Sequence, residues 1–288
     1  MATTTSTHVP TEQQMLRRLL GDPRLTSIVD IGANPVDGAP PYQDMLDAGL
    51  CTVTGFEPQA DALAVLRARQ GERETYLPHV VGDGRDHTLH VTVASGMTSL
   101  FPPDPVRLQV FEGFGDWGVV TDRLDVATTR LDDVEGLPAV DFLKIDVQGA
   151  ELMVFEGGRD RLAETVVIQT EVSFLPLYAG QPTFGQIDVE LRRQGFVPHA
   201  FAAVKQWPIS PFRSHTPGTH QLLEADLVYV RDFARTEELS SDHLKQLSLV
   251  AHHVYGSSDL VVRCLLGLVA REELAMGSVV DYLKTVEA

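Results

Sequence analysis

The chain has 288 residues, which is long enough for one large α/β domain with an appendage or for two small domains. Apolar residues make up 43% and charged residues 22%, which is ordinary for a globular protein and argues against disorder. The net charge of -17 repels phosphate backbones, so we expect no nucleic-acid partner. Two distant cysteines, Cys51 and Cys264, predict neither a disulfide framework nor a zinc site and suit a reducing cytosol.

The N-terminal sequence has no signal-peptide pattern, and no run approaches ~18 apolar residues. We therefore expect a cytoplasmic chain with no membrane partner. Residues 1–22 are expected to form an N-terminal segment with a short helix, because Thr-Glu-Gln-Gln at positions 11–14 is a capping-box pattern.

From residue 27 onward, short apolar runs alternate with helical patterns, and this alternation predicts βαβ units and a parallel sheet. The predicted strands are 27–31, 51–56, 76–81, 88–94, 125–130, 140–145, 165–172, 197–204 and 225–230. The predicted helices are 59–69, 150–163 and 184–194. Two stretches without periodicity, 96–123 and 205–223, are expected to be functional loops. We expect a main domain over 23–232 and an apolar helical tail over 233–288, which packs on that domain or on the partner subunit of a homodimer.

The segment Asp30-Ile31-Gly32-Ala33-Asn34 follows the first apolar strand. The carboxyl ends of parallel strands line ligand crevices, so Gly32 would let the backbone approach a ligand while Asp30 and Asn34 offer polar groups. The alternative is an ordinary turn, in which Asp and Asn serve turn chemistry.

Glu57 ends the next strand, within Gly55-Phe56-Glu57-Pro58. An acid at this place binds ribose hydroxyls in Rossmann-type sheets, although a helix dipole also favours an acid there. Together the two segments predict a cofactor that contains a nucleoside. The turn after Gly32 lacks the further glycines of dinucleotide sites, and Asp37 would face a pyrophosphate badly. S-adenosylmethionine has no phosphate and carries cationic groups, so acids in the turn suit it.

A third polar segment, from Asp141 to Glu151, leaves a very apolar strand and carries Lys144, Asp146 and Gln148. The alternative is a purely structural role, in which Gln148 belongs to a turn and Glu151 lies in the first turn of the following helix. However, Lys144 would be costly inside a central strand without a partner, and this favours a functional role for the segment.

With these segments in this order, the sequence resembles the FkbM family of methyltransferases over roughly residues 27–232. Further matching segments are Val81-Gly82-Asp83, Met97–Leu100, Thr129–Asp133, the run from Phe142 to Gly157, Gln169–Phe174 and Pro176–Tyr178. The resemblance implies an α/β class I methyltransferase (Rossmann-like) fold. This fold is a mostly parallel seven-stranded sheet flanked by helices, here with a C-terminal helical extension. It also implies S-adenosylmethionine as donor and O-methylation of a hydroxyl on a sugar, glycoside or polyketide-like metabolite.

The resemblance also implies the cofactor-binding residues. The segment from Asp30 to Asn34 would approach the methionine part, Glu57 the ribose, Gly82 and Asp83 the adenine, and Asp146 the front of the site. The full expected set is Asp30, Gly32, Ala33, Asn34, Phe56, Glu57, Pro58, Gly82, Asp83 and Asp146. Two features depart from the family pattern. Gln148 stands where the family usually has Glu, so it cannot act as a base, and the first loop with Pro35, Asp37, Pro40 and Pro41 could form a different lid.

Methyl transfer is promoted by holding donor and acceptor in line, and a hydroxyl acceptor also benefits from a base or a metal. Our catalytic candidates are Asp146, Lys144 and Glu171. A divalent cation held by Asp146 and Glu171 is an alternative, although no complete ligand set is readable. The sequence leaves open whether Trp117 and Trp207 wall the acceptor pocket or anchor loops, and whether His215 and His220 reach it. Two rival functions remain, an NAD-type oxidoreductase and a methyltransferase-like binding module without catalysis.

Overall fold

The structure is a computed structural model that describes residues 12–34 and 38–286. The strands are β1 (Thr26–Ile31), β2 (Cys51–Phe56), β3 (Glu74–Leu77), β4 (Val80–Val81), β5 (Asp86–Thr92), β6 (Val120–Thr129), β7 (Phe142–Ile145), β8 (Val167–Ser173), β9 (Phe196–Trp207) and β10 (Gln221–Arg231). The helices are α1 (Glu12–Leu19), α2 (Gln43–Asp47), α3 (Ala60–Arg69), α4 (Pro105–Leu108), α5 (Phe114–Trp117), α6 (Glu151–Gly157), α7 (Arg159–Leu162), α8 (Phe184–Arg193), α9 (Ser241–His253), α10 (Ser258–Ala270) and α11 (Met276–Val286).

Seven strands form the main sheet in the order β3-β2-β1-β7-β8-β10-β9. β10 runs antiparallel to both of its neighbours, whereas β1, β7 and β8 pair in parallel. The expectation of a mostly parallel seven-stranded sheet with flanking helices is therefore confirmed. Every residue of β1 and of β8 is buried, as a central strand with both faces covered requires.

The structure corrects the element predictions in two places. The predicted strand 76–81 is interrupted at Pro78, which lacks an N–H for the ladder, and its halves β3 and β4 belong to different sheets. The predicted helix 150–163 is broken at Gly158, whose backbone (φ -127°, ψ 18°) is not helical. The predicted strands 88–94 and 125–130 exist as β5 and β6, but they form a separate three-stranded sheet with β4.

The first of the two irregular stretches contains the short helices α4 and α5, and its last residues belong to β6. Its aromatic side chains are packed together. Phe114 lies 5.4 Å from Trp117 and 5.2 Å from Trp207, measured between ring centroids, and the two tryptophans are 6.0 Å apart. In the second stretch, β9 extends through Trp207 and β10 begins at Gln221, so only 208–220 lies between strands. Both tryptophans thus anchor these segments against each other.

The described residues divide into two compact units, one of residues 27–34, 38–40 and 53–232, the other of residues 12–26, 41–52 and 233–286. In the second unit α9 begins at a capping box made by Ser240 and His243, and its apolar residues Leu244 and Leu247 are buried. Among the described residues, no helix combines the length and apolarity needed to cross a membrane. The domain boundaries at 22 and 232, and a homodimer through the tail, stay predictions.

Backbone hydrogen bonds join the carboxyl ends of three neighbouring strands. The N–H of Gly32 donates to the carbonyl of Phe56 at 3.0 Å, and the N–H of Asp146 donates to the carbonyl of Ile31 at 3.0 Å. Gly32 has a φ of 82° and faces the backbone of Asp146 so closely that a Cβ there would lie 2.0 Å from the Asp146 carbonyl oxygen. Only glycine satisfies both conditions at this position.

We predict that Gly32→Ala destabilises the protein by at least ~3 kcal/mol, because it adds a backbone clash to an unfavourable φ. Gly136→Ala is the matched control. Gly136 also has a left-handed φ, of 71°, but has open space around its missing Cβ, so its substitution should cost only about 1 kcal/mol. Urea denaturation of both variants measures the difference, and equal losses of stability would contradict the close approach.

Candidate functional site

A cleft lies at the carboxyl ends of β1, β2 and β7, with a volume of about 780 Å³ including its open mouth. Its lining includes six of the residues predicted to bind the cofactor, Gly32, Asn34, Phe56, Glu57, Pro58 and Asp146. The strand-end arrangement that the sequence predicted therefore places these residues around one space.

Glu57 is a buried carboxylate in the wall of this cleft, only 2% exposed. Its Oε1 accepts the N–H of Gln59 at 2.7 Å, and this turn leads into α3. Burial raises the pKa of Glu57, while the Gln59 N–H opposes the rise. A carboxylate can accept several hydrogen bonds, so Glu57 keeps acceptor capacity for hydroxyl groups in the cleft.

Lys144 and Asp30 are cross-strand partners in the register of β1 and β7. The Lys144 Nζ lies 3.3 Å from the Asp30 Oδ1 and donates to the Gly32 carbonyl at 3.3 Å. Burial alone would lower the pKa of Lys144, but the charges of Asp30 and Asp146 outweigh it and raise the pKa to about 12. Neither Lys144 nor Asp30 is part of the cleft lining, so the lysine acts as a fixed cation beneath it.

Asp146 and Gln148 line the cleft, and Glu171 lies behind them, 3% exposed. The Gln148 Nε2 donates to the Asp146 Oδ1 at 2.8 Å and reaches the Glu171 Oε1 at 3.5 Å. Burial raises the pKa of Glu171 well above its ordinary value, and the charges of Glu224 and Asp146 add to the effect. The structure thus brings two of the three catalytic candidates together, with an amide between them.

Three members of this network, Lys205, Glu224 and Tyr178, were not predicted from the sequence. The Lys205 Nζ lies 3.2 Å from the Glu171 Oε2 and 2.7 Å from the Glu224 Oε1. The hydroxyl of Tyr178 lies 3.0 Å from the Gln148 Oε1, within donating distance. Tyr178 was part of the family resemblance, yet no role followed from it, and Lys205 sits in a stretch that carried no periodic signal.

Gly82 and Asp83 do not belong to the described cleft lining, and their expected place by the adenine stays a prediction. The cleft is also lined by His79, Val80, Val81 and Leu89 and by the rim residues Ser95, Gly96, Thr98, Ser99 and Leu100. Asp83 instead stabilises a turn, where its Oδ1 accepts the N–H of Arg85 at 3.0 Å and lies 2.8 Å from the His87 Nε2. Ala33 packs in a small apolar cluster with Leu63 and Tyr76.

The remaining candidates lie outside the cleft lining. His220 bonds the Thr216 carbonyl within its own loop, His215 is exposed, and Trp117 and Trp207 belong to the aromatic cluster described above. Pro35 and Asp37 lie outside the described residues, so the expected lid stays a prediction. Carboxylate oxygens of Asp146, Glu151 and Glu171 lie within 4.8 Å of one another, which is a spacing that a cation could bridge.

The charges of the cleft distinguish between the candidate cofactors. Among the described lining residues, Glu57 and Asp146 supply carboxylates and there is no Lys or Arg. A dinucleotide brings a pyrophosphate, which prefers cationic side chains or glycine-rich turns. A donor with a ribose and a cationic sulfonium, but no phosphate, fits these residues better.

The sequence model described as the Methyltransferase FkbM domain matches residues 30–198, more than half of the chain. A 2-O-methyltransferase, NoeI of Sinorhizobium fredii (strain NBRC 101917 / NGR234), is 46% identical over 61 residues. That match covers 20% of this chain and only 25% of NoeI, so the chain spans a quarter of that relative.

Two solved structures are similar at low identity. Magnesium protoporphyrin IX methyltransferase (ChlM) from Synechocystis PCC 6803 is 11% identical, with a TM-score of 0.38 over 76% of this chain and 79% of its own. Methyltransferase FkbM from Methylobacillus flagellatus KT is 17% identical, with a TM-score of 0.37 over 73% of this chain and 45% of its own. The fold assignment rests on the strand order of this chain itself. By the match over residues 30–198, the chain belongs to the FkbM methyltransferase family.

Proposed function

We propose that the chain is an S-adenosylmethionine-dependent O-methyltransferase that acts on a hydroxyl of a small molecule, such as a sugar, glycoside or polyketide-like metabolite. The observation that carries the proposal is the charge of the cleft, with Glu57 and Asp146 in its wall and no Lys or Arg among its described lining residues. Family membership and the name of the 2-O-methyltransferase relative support the same chemistry.

Glu57 is the residue proposed to recognise the ribose. A buried carboxylate is costly unless it accepts hydrogen bonds. The two neighbouring hydroxyls of a ribose can both donate to Glu57, and hydrogen bonds to a charged acceptor are strong. Phe56 and Val81, which also line the cleft, offer apolar surface for a purine ring.

Asp146 is the group proposed to accept the proton of the acceptor hydroxyl. When bound, S-adenosylmethionine supplies an electrophilic methyl group on a sulfonium. As the acceptor oxygen forms its bond to the methyl carbon and the sulfur–carbon bond breaks, the hydroxyl proton passes to the Asp146 carboxylate. Lys144 and Asp30 hold the strand ends beneath Asp146 and take no proton in this scheme.

Glu57→Gln should weaken binding of S-adenosylhomocysteine by roughly 10- to 100-fold, because charge-assisted hydrogen bonds are worth about 1.5–3 kcal/mol. Isothermal titration calorimetry measures this. Asp61→Asn, an exposed acid in the first turn of α3, is the control that should leave the affinity unchanged. If the wild type and Glu57→Gln bind S-adenosylhomocysteine with equal affinity, Glu57 does not bind the ribose.

The raised pKa of Glu57 predicts a pH dependence of binding. The ionised carboxylate accepts the hydroxyl hydrogen bonds, so this part of the affinity is present above the Glu57 pKa and is lost as the pH falls through it. Titrations between about pH 8 and about pH 5 should show the wild-type affinity falling before the ordinary glutamate range near 4.3 is reached. The affinity of the Glu57→Gln variant should change less with pH. If the affinities of the wild type and the variant change with pH in parallel, Glu57 is not the titrating group.

Asp146→Asn should retain most of its affinity for S-adenosylhomocysteine but lose at least about 100-fold in methyl transfer, as expected for removal of a general base. Release of S-adenosylhomocysteine in the presence of a panel of sugars and glycosides measures transfer. Asp160→Asn, an exposed acid on α7, is the matched control. Unchanged transfer by Asp146→Asn would exclude it as the base, and a wild type that turns over no acceptor would favour the non-catalytic binding module.

A further inference from the structure

Gln148 is held by contacts on all sides although its backbone is unfavourable. Its φ is 54°, in the left-handed region that a residue with a Cβ rarely adopts. The Ser99 Oγ donates to its carbonyl at 2.6 Å, which ties it to the rim of the cleft. Its carboxamide meets Tyr178 on one side, and Asp146 and Glu171 on the other. Side-chain contacts of this kind are what maintains a strained backbone at a site.

The orientation of the Gln148 amide is determined by its neighbours. Burial raises the pKa of Tyr178, and the nearby charge of Glu171 raises it further, so its hydroxyl stays a donor. It lies 3.2 Å from the Met97 carbonyl oxygen and 3.0 Å from the Gln148 Oε1, so its single proton is shared between two acceptors. A carboxylate oxygen accepts hydrogen bonds, so the Gln148 atom 2.8 Å from the Asp146 Oδ1 is the donor Nε2. The Nε2 also reaches Glu171, and the Oε1 is left on the Tyr178 side.

The same carboxylates form the candidate cation cluster. Oxygens of Asp146, Glu151 and Glu171 come within 4.8 Å of one another, but the Gln148 Nε2 already contacts two of the three residues. On the far side of Glu171, the Lys205 Nζ contacts its other oxygen at 3.2 Å. Oxygens that already accept N–H groups are poorly available as cation ligands.

We propose that the Gln148 carboxamide is a positioning residue that takes the place of a divalent cation between Asp146 and Glu171. It holds the Asp146 carboxylate toward the cleft and keeps Glu171 behind it. Transfer therefore needs no metal, and Asp146 is the carboxylate that an acceptor reaches. The role of Asp146 rests on the proposed function, whereas the occupancy of the cluster by the amide can be tested without any acceptor.

Replacing Gln148 by Glu exchanges the donor Nε2 for an oxygen at nearly constant shape. The full-length wild type should bind no Mn²⁺ at concentrations up to about 1 mM, which is the weak end of protein sites for hard cations. The Gln148→Glu variant should bind one equivalent, measured by the loss of the free Mn²⁺ signal in electron paramagnetic resonance, and Mn²⁺ should raise its melting temperature. Gln186→Glu adds the same charge on the exposed surface of α8 and should behave like the wild type.

Binding of S-adenosylhomocysteine by Gln148→Glu shows that this variant is folded. It also separates the proposed methyltransferase function from the proposed role of the Gln148 amide. If the wild type fails to bind S-adenosylhomocysteine, the proposed function fails, whatever Mn²⁺ does. If the wild type binds one Mn²⁺ and Glu171→Gln abolishes that binding, the cluster is a metal site and the inference about Gln148 is overturned. It is equally overturned if Gln148→Glu binds S-adenosylhomocysteine but no Mn²⁺.

Discussion

The close packing of three strand ends is the constraint on which the site depends. The backbone of Gly32 lies against the carbonyl of Asp146, and both residues are tied by hydrogen bonds to neighbouring strand ends. Because these bonds are made by the main chain, the positions of Glu57 and Asp146 follow from the sheet itself and not from flexible side chains. A larger residue at position 32 would separate β1 from β7 and open the cleft at its base.

Electrostatics then assigns a different task to each carboxylate. Asp30 is neutralised by Lys144 beneath the cleft, and Glu171 is restrained by Lys205 and by the Gln148 amide behind it. Glu57 and Asp146 remain in the lining and face the space where a ligand would lie. Asp30 and Glu171 thus stabilise the structure, whereas Glu57 and Asp146 are available to bind a ligand and make the cleft negatively charged.

The sequence predicts the features that are encoded locally. The main strands, the carboxylate after β2 and the polar exit of β7 could be read from hydrophobic runs and from the residues that follow them. The need of Lys144 for a partner was also predictable from its place in an apolar strand, but the identity of that partner depends on the register of β1 and β7. The break at Pro78 was visible in the sequence and outweighed the apolar pattern around it.

The remaining features depend on tertiary packing. His79, Val81 and the rim from Ser95 to Leu100 form a cleft wall because a second sheet brings them there, and no periodicity indicates such a sheet. Tyr178 and Lys205 reach Gln148 and Glu171 from distant loops and strands. Gly82 and Asp83, which the family resemblance places at the adenine, lie outside the described cleft lining, and Asp83 accepts the N–H of Arg85 in a turn.

The central claim is that this cleft binds S-adenosylmethionine and not a dinucleotide. Calorimetric titration of the wild type with S-adenosylhomocysteine and, separately, with NAD tests it most directly. We expect one S-adenosylhomocysteine to bind per chain and NAD to show no measurable binding. Tight binding of NAD without binding of S-adenosylhomocysteine would contradict it.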